Sequence, residues 1–424
     1  MTQRTDHKEI FVYAHWLGLD TPVLMGTLNI NITRGKEIFS FEYDDDWLQS
    51  GIAQVLDPDL GLYAGPQYIR DDKANFGLFL DSSPDRWGRL LMRRKEAAEA
   101  RKENRENKTL YESDYLLGVF DGHRMGALRF KTDPQGEFVN NNKKIASPPW
   151  TLLRDLEYAS LQLEKEDISE DPEYFKWLSM LLAPGSSLGG ARPKASVVDP
   201  NGELWIAKFP SLNDHKNVGA WEIIVNRLAI NAGLNVAYAK AKKFYGNYHT
   251  FLTKRFDRNT KGHRIHFVSA LTMLGYKDGA DYSDGASYLE LAELLIQKGA
   301  RVNEDLEELW RRIVFNICVS NTDDHLRNHG FILTDNGWIL SPAYDINPIE
   351  TGSGLSLNIT EDDNSLDLEL ALEIGEYFRL DNKKANKIIN QIINSVQHWR
   401  EISIEYGIPK TEQDLMSRAF SKAY

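Results

Sequence analysis

Ser320-Asn321-Thr322-Asp323-Asp324-His325-Leu326-Arg327-Asn328 follows directly on the apolar helical run Ile313-Val314-Phe315-Asn316-Ile317-Cys318-Val319. The Asn stands five residues after an Asp, just where a buried-looking helix ends. An Asp-x-x-x-x-Asn loop suits phosphoryl transfer, because the carboxylate accepts the proton of an attacking hydroxyl and the amide ligates Mg²⁺. Downstream, Trp338-Ile339-Leu340 reads as a strand, and Ser341-Pro342-Ala343-Tyr344-Asp345 offers a second carboxylate. A hard cation needs oxygen ligands, and Asn328 and Asp345 can supply them beside phosphate oxygens. Taken alone, Asn321 to Asp324 serves equally well as a helix cap or Asx turn. His325 and His329 stand at i, i+4, but Leu326 occupies the position of the glutamate in H-E-x-x-H, which weighs against a zinc hydrolase.

Upstream lies Gly185-Ser186-Ser187-Leu188-Gly189-Gly190-Ala191-Arg192-Pro193-Lys194. Glycines let successive backbone N–H groups turn inward around an anion, and a nearby cation adds charge. This is neither a Walker loop, since Ala191 follows Gly190, nor G-x-G-x-x-G; by itself it is a glycine-rich turn. Gly185-Ser186-Ser187-Leu188-Gly189 also matches G-x-S-x-G, the nucleophile elbow of serine hydrolases, which requires a strand before the serine and a helix after it. Here the order is reversed, with a helical segment ending near Leu182 and the strand-like Ala195-Ser196-Val197-Val198 following. Lys208, in Trp205-Ile206-Ala207-Lys208-Phe209-Pro210, reads in isolation as a solvent-facing strand lysine. After a glycine-rich hairpin, it stands where a kinase places the lysine that holds nucleotide phosphates. Glycine loop, strand lysine, hinge-like Lys254-Arg255-Phe256-Asp257-Arg258, Asp-x4-Asn and a final strand with Asp form, in that order, the parts a kinase needs.

The chain has 424 residues, of which 42% are hydrophobic and 26% charged, and a formal net charge of −12. That length predicts two or three compact units, and the charge opposes direct duplex binding, which needs cations against phosphate. Cys318 is the single cysteine, which excludes an intramolecular disulfide and a Cys-based zinc site and fits a reducing, cytoplasmic setting. Among its apolar neighbours it is expected to be a buried small hydrophobe. The start carries charges where a signal peptide needs an apolar run, and no apolar stretch of about 18 residues occurs, so no membrane association is expected. Short strand-like runs at 10–14, 25–30 and 39–43 precede a helical patch from Arg86 and a polar, Pro- and Gly-bearing connection. Helices are expected at 218–232, 287–299, 304–319, 383–404 and 411–422, with further strands at 235–245 and 249–255. The expected fold is α+β: a β-rich domain over 1–135, a linker at 136–149, and a two-lobed kinase-like region. Its N-lobe spans 150–268, with the glycine loop and hinge, and its mostly helical C-lobe spans 269–424, with the catalytic loop.

Ser187 to Lys194, Lys208-Phe209-Pro210, Lys254 to Arg258, Asn321 to Asn328 and Ala343-Tyr344-Asp345 together resemble the HipA-type serine/threonine kinases, toxin halves of bacterial toxin–antitoxin pairs. Phe76-Gly77-Leu78-Phe79-Leu80-Asp81-Ser82-Ser83-Pro84-Asp85-Arg86-Trp87-Gly88 resembles the end of that family's N-terminal domain, so the likeness covers nearly the whole chain. The resemblance implies a Mg²⁺- and ATP-dependent enzyme with Asp323 as its catalytic carboxylate. Gly189, Gly190, Ala191, Arg192, Pro193 and Lys194 would line the phosphates, with Lys208 reaching them. Lys254, Arg255 and Phe256 would meet the adenine, while His325, Leu326, Arg327 and Asn328, with Tyr344, Asp345, Ile346 and Asn347, would complete the nucleotide and metal pocket. Ser187, with Ser186 adjacent, falls where the family carries an autophosphorylated serine. The implied partners are a helix-turn-helix antitoxin, DNA only through it, and a protein substrate of the aminoacyl-tRNA synthetase kind. A non-catalytic nucleotide-binding regulator is the alternative. After the hinge, His266-Phe267-Val268-Ser269-Ala270-Leu271-Thr272 departs from the Gln-Glu-Asp run of the best-known members, which marks a divergent branch.

Overall fold

Alternation of apolar and polar residues builds the first part of the chain. In the strand His7–Ala14 every second residue from Ile10 onward is buried, the period a sheet with one covered face requires. The computed structural model describes residues 7–70, 73–141, 148–165, 168–182 and 190–424. Among them a five-stranded sheet runs in the order Gln67–Tyr68, Lys36–Tyr43, Val23–Thr33, His7–Ala14, Leu128–Lys131, with each neighbouring pair antiparallel. Phe39, Phe41, Phe79 and Phe130 are fully buried in this part of the chain. The helix Arg86–Lys102, over the helical patch expected from Arg86, starts on an Asp85 cap, whose side chain accepts from the Gly88 N–H.

Two compact units divide the chain: the described residues up to Ala207 together with Asp257–Val268, and Lys208–Phe256 with Ser269–Tyr424. This division runs differently from the borders expected from sequence pattern, for a visible reason. Arg258 donates to the carbonyls of Gly122, Arg124 and Gly126, Asp257 accepts from the Gly126 N–H, and Arg264 pairs with Asp121. These bonds anchor 257–268 in the first unit. In that unit the strands Lys194–Val198 and Leu204–Lys208 are neighbours, although Lys208 itself belongs to the second.

The second unit is mainly helical. Val218–Asn231 is followed by the antiparallel hairpin Ala239–Lys242 with Thr250–Lys254. Tyr288–Lys298 and Val302–Val319 follow, the latter with Ile313 to Val319 wholly buried. Cys318 is among these, its thiol pushed up to about 12 by burial, the inert core residue expected. The expected strand around Trp338 is half of a hairpin, Gly330–Thr334 with Gly337–Leu340. The helix expected over 383–404 is two, Asn382–Val396 and Trp399–Glu405, and the break lets the Trp399 ring stack on Phe420 at 4.6 Å. The segment expected at 411–422 is likewise divided, into Lys410–Met416 and a 3₁₀ turn over Ser417–Ala423. No described helix is long and apolar enough to cross a membrane.

Candidate active site

Lys208 ends its strand with its ammonium between two carboxylates. Nζ donates to Glu222 Oε1 at 2.5 Å and to Asp345 Oδ1 at 2.5 Å. Burial by itself would lower the lysine pKa, but Asp345 and Glu222 outweigh it and hold the pKa above its ordinary value. Lys208 is therefore a cation at every physiological pH. Glu222 was not foreseen from sequence. It sits in the helix Val218–Asn231, amid Ala220, Trp221, Ile223 and Ile224, all buried. A lone carboxylate in so apolar a run, one helix after a strand lysine, was the available signal, since a buried charge needs a partner. Gly219 makes the helix's approach possible: a Cβ there would lie 2.0 Å from the His249 carbonyl oxygen.

The loop after Val302–Val319 separates its two adjacent aspartates. Ser320 leaves the helix with φ +50°, and the chain turns sharply, the His325 N–H donating to the Asp323 carbonyl and the Asn328 N–H to the His325 carbonyl. Asp324 is buried and bonded to Tyr288, Asn316 and His329. Burial would raise its pKa, but His329, the Tyr288 hydroxyl and the nearby His325 hold it below the usual carboxylate value. Asp323 instead lies exposed. Asn328 Nδ2 donates to the Asp323 carbonyl at 2.9 Å, which leaves the amide oxygen as the atom that could ligate a cation.

Asp345 lies on a segment tied to this loop. The Tyr344 hydroxyl donates to the Arg327 carbonyl at 2.7 Å, and the Asn347 N–H donates to Asn321 Oδ1 at 3.2 Å. Asp345 itself adopts φ +58°, an uncommon state for a non-glycine residue that turns up preferentially at functional sites. Phe256 of the expected hinge packs its ring 5.5 Å from that of Tyr344, and the Lys254 N–H donates to the Tyr238 carbonyl; Arg255 is buried. Asp323, His325, Leu326, Arg327, Asn328, Tyr344, Asp345, Lys208 and Lys254 to Phe256 of the hinge thus belong to one unit, while Asp257 and Arg258 belong to the other. The donor set fits Mg²⁺: a carboxylate and an amide oxygen on two hydrogen-bonded segments, with the carboxylate already holding a cationic ammonium. Zinc fits less well, because His329 is committed to Asp324 and no described group of three or more His, Cys, Asp and Glu gathers around a common point.

Of the glycine loop, Gly189, Ser186 and Ser187 lie outside the described residues. Gly190 and Ala191 are exposed. Lys194, in the first unit, is buried, its Nζ donating to Asp85 Oδ2 at 2.9 Å and to the Gly190 carbonyl at 2.6 Å. In this arrangement it braces the base of the loop. Beyond Glu222, Asn316 and Asn321 had no role assigned from sequence, their only mark being polar near a buried helix end.

The family model for the HipA-like C-terminal domain matches residues 186–399, half of the chain. The serine/threonine-protein kinase toxin HipA of Shewanella oneidensis is 26% identical over 301 residues, spanning 64% of this chain and 65% of that protein. Protein Y4mE of Sinorhizobium fredii is 30% identical over 182 residues, 38% of this chain and 41% of that one. The chain therefore spans less than two thirds of either relative. A chain from the solved complex of Shewanella oneidensis HipA, HipB and operator DNA superimposes with a TM-score of 0.67 at 19% identity, covering 98% of this chain and 96% of that one, a likeness of fold. The family model spans half of the chain, and the chain belongs to the HipA-like family.

Proposed function

We propose that the chain is an ATP- and Mg²⁺-dependent serine/threonine protein kinase of the HipA type. The observation that carries this is the pairing of an exposed Asp323 with Asn328, on a loop hydrogen-bonded to the segment of Asp345, which in turn holds Lys208. Asp323 takes the proton of the substrate hydroxyl as its oxygen bonds to the γ-phosphorus; the bond from phosphorus to the bridging oxygen breaks, and ADP carries the electron pair away. Asn328 and Asp345 hold Mg²⁺, which neutralises charge on the phosphates. Lys208 turns from the carboxylates to the phosphate oxygens. Lys254 to Phe256 meet the adenine, alongside His325, Leu326 and Arg327, and Gly189 to Pro193 cover the phosphates on a loop whose base Lys194 braces. Ser187, or its neighbour Ser186, takes a phosphoryl group itself; the added charge of about −1.5 to −2 repels ATP and shuts the enzyme off. A small DNA-binding antitoxin of the HipB kind is the proposed partner, and an aminoacyl-tRNA synthetase the proposed type of substrate.

The test is incubation of the full chain with γ-labelled ATP and Mg²⁺, alone and with cell lysate. Wild type is expected to label itself and at least one lysate protein on serine or threonine. Asp323→Ala is expected to lose about 10²–10⁴-fold in transfer rate with ATP affinity kept. ATP binding with no transfer by wild type would instead make the chain a nucleotide-binding regulator.

A further inference from the structure

Asp324 has no part in the transfer just described, yet it is buried and takes three hydrogen bonds on one oxygen. Its Oδ2 accepts from the Tyr288 hydroxyl at 2.6 Å, from Asn316 Nδ2 at 2.7 Å and from His329 Nε2 at 2.8 Å. A carboxylate can only accept, so Asn316 must turn its NH₂ toward it and present its oxygen the other way. That oxygen receives Asn321 Nδ2 at 3.1 Å. Asn321 Oδ1 then accepts the Asn347 N–H at 3.2 Å, and Asn347 Nδ2 donates to Asp345 Oδ1 at 3.0 Å. The two buried side-chain amides, Asn316 and Asn321, are oriented by the acceptor-only carboxylate of Asp324 at one end and by the donor-only Asn347 N–H at the other. Were residue 324 able to donate, Asn316 would be free to turn round and face the Asn321 NH₂ with its own. The donor–donor contact would break the relay and unfasten the backbone at Asn347. Asn316 and Asn321 are buried, so water is a poor substitute partner and the orientation is costly to lose.

We propose that Asp324 is a positioning residue, which through Asn316 and Asn321 holds the metal-ligand segment Asp345–Asn347 in register with the loop Asp323–Asn328; the inference rests on the transfer function proposed above. It explains why the loop carries two aspartates with such different surroundings: one is presented to substrate, and the other orients the frame.

The full chain and three variants, Asp324→Asn, Asn321→Ser and Tyr288→Phe, are compared in thermal midpoint, ATP dissociation constant, kcat and hydrogen exchange of the Asn347 amide. Asp324→Asn and Asn321→Ser are expected to lower kcat about 10- to 100-fold while the ATP dissociation constant stays within about threefold, since a misplacement near 1 Å costs that much in rate but little in binding. Both should also speed exchange at Asn347. Tyr288→Phe removes a donor to Asp324 that lies outside the relay. It is expected to lower the midpoint yet keep kcat within about threefold of wild type and leave Asn347 protected. The proposal is overturned if Asp324→Asn keeps kcat, or if Tyr288→Phe lowers it equally, since packing alone would then account for the loss. Should Asp324→Asn not fold, Asn321→Ser interrupts the same relay and decides alone. A wild type with no transfer sinks the kinase function instead, and exchange at Asn347 in the variants still decides whether the relay exists.

Discussion

Lys208 is the residue on which the site's charge balance turns. Its ammonium separates two carboxylates that would otherwise repel each other in a poorly solvated place. In Lys208→Met, kcat/KM is expected to fall about 10²- to 10³-fold, the usual loss of a preorganised donor to a transferring group. The thermal midpoint should also fall at neutral pH and recover part of the way toward pH 5, because the orphaned carboxylates can then take up protons. A midpoint independent of pH in that variant would mean Glu222 and Asp345 do not feel each other. His266, in the first unit, supplies a second pH effect. Buried beside the Trp16 ring at 5.3 Å, its imidazole is held down to about 3 by burial. The unfolded chain binds a proton there below about 6.5 and the folded chain does not, so this contribution to stability is complete above pH 6.5. It is lost toward pH 3 at up to about 1.4 kcal/mol per pH unit. Thermal melts between pH 7.5 and 5.5 should show His266→Phe losing less stability on acidification than wild type.

At the scale of elements, the helix Val218–Asn231 and the hairpin strand Thr250–Lys254 meet too closely for a side chain at Gly219. A methyl group there would meet the His249 carbonyl oxygen at 2.0 Å and its carbon at 2.9 Å, both backbone atoms that cannot rotate away. Gly219→Ala is therefore expected to cost about 1–3 kcal/mol by overpacking, and to weaken ATP binding as Glu222 moves off Lys208. Calorimetry and ATP titration would check the two together; a variant as stable as wild type would show that the helix has room to shift. The break between Asn382–Val396 and Trp399–Glu405 belongs to the same scale. Helical periodicity runs through Gln397 and His398, yet the chain turns there, where Gln397 bonds to Ala423 and Tyr424 and Trp399 stacks on Phe420.

For the whole molecule, the net charge of −12 works against duplex DNA, whose non-specific ligands owe their affinity of about 10⁻⁴–10⁻⁶ M to phosphate neutralisation. The chain alone is expected to show no binding within that range at physiological salt, by fluorescence anisotropy with a labelled duplex. Binding that weakens steeply with added salt would reveal a basic surface hidden in the overall charge. The division into two compact units is also decided at this scale. Residues 257–268 follow the hinge in sequence, yet Arg258 and Arg264 tie them to carbonyls and a carboxylate contributed by residues 121–126.

From sequence alone the α+β class, most strands and helices and the buried Cys318 were legible, because hydrophobic period and chain punctuation are local properties. So was the candidate loop with Asp323 and Asn328, because its spacing is carried by one continuous stretch. What folding alone decided are the pairings between distant residues. Glu222 reaches Lys208 only once a helix docks on a hairpin beside a glycine, and Asn316, Asn321 and Asn347 form a relay only when a helix end meets the segment of Asp345. The two neighbouring aspartates, chemically identical in the sequence, received opposite surroundings, since burial and hydrogen-bond partners come from elements 8 to 36 positions away in Asn316 and Tyr288.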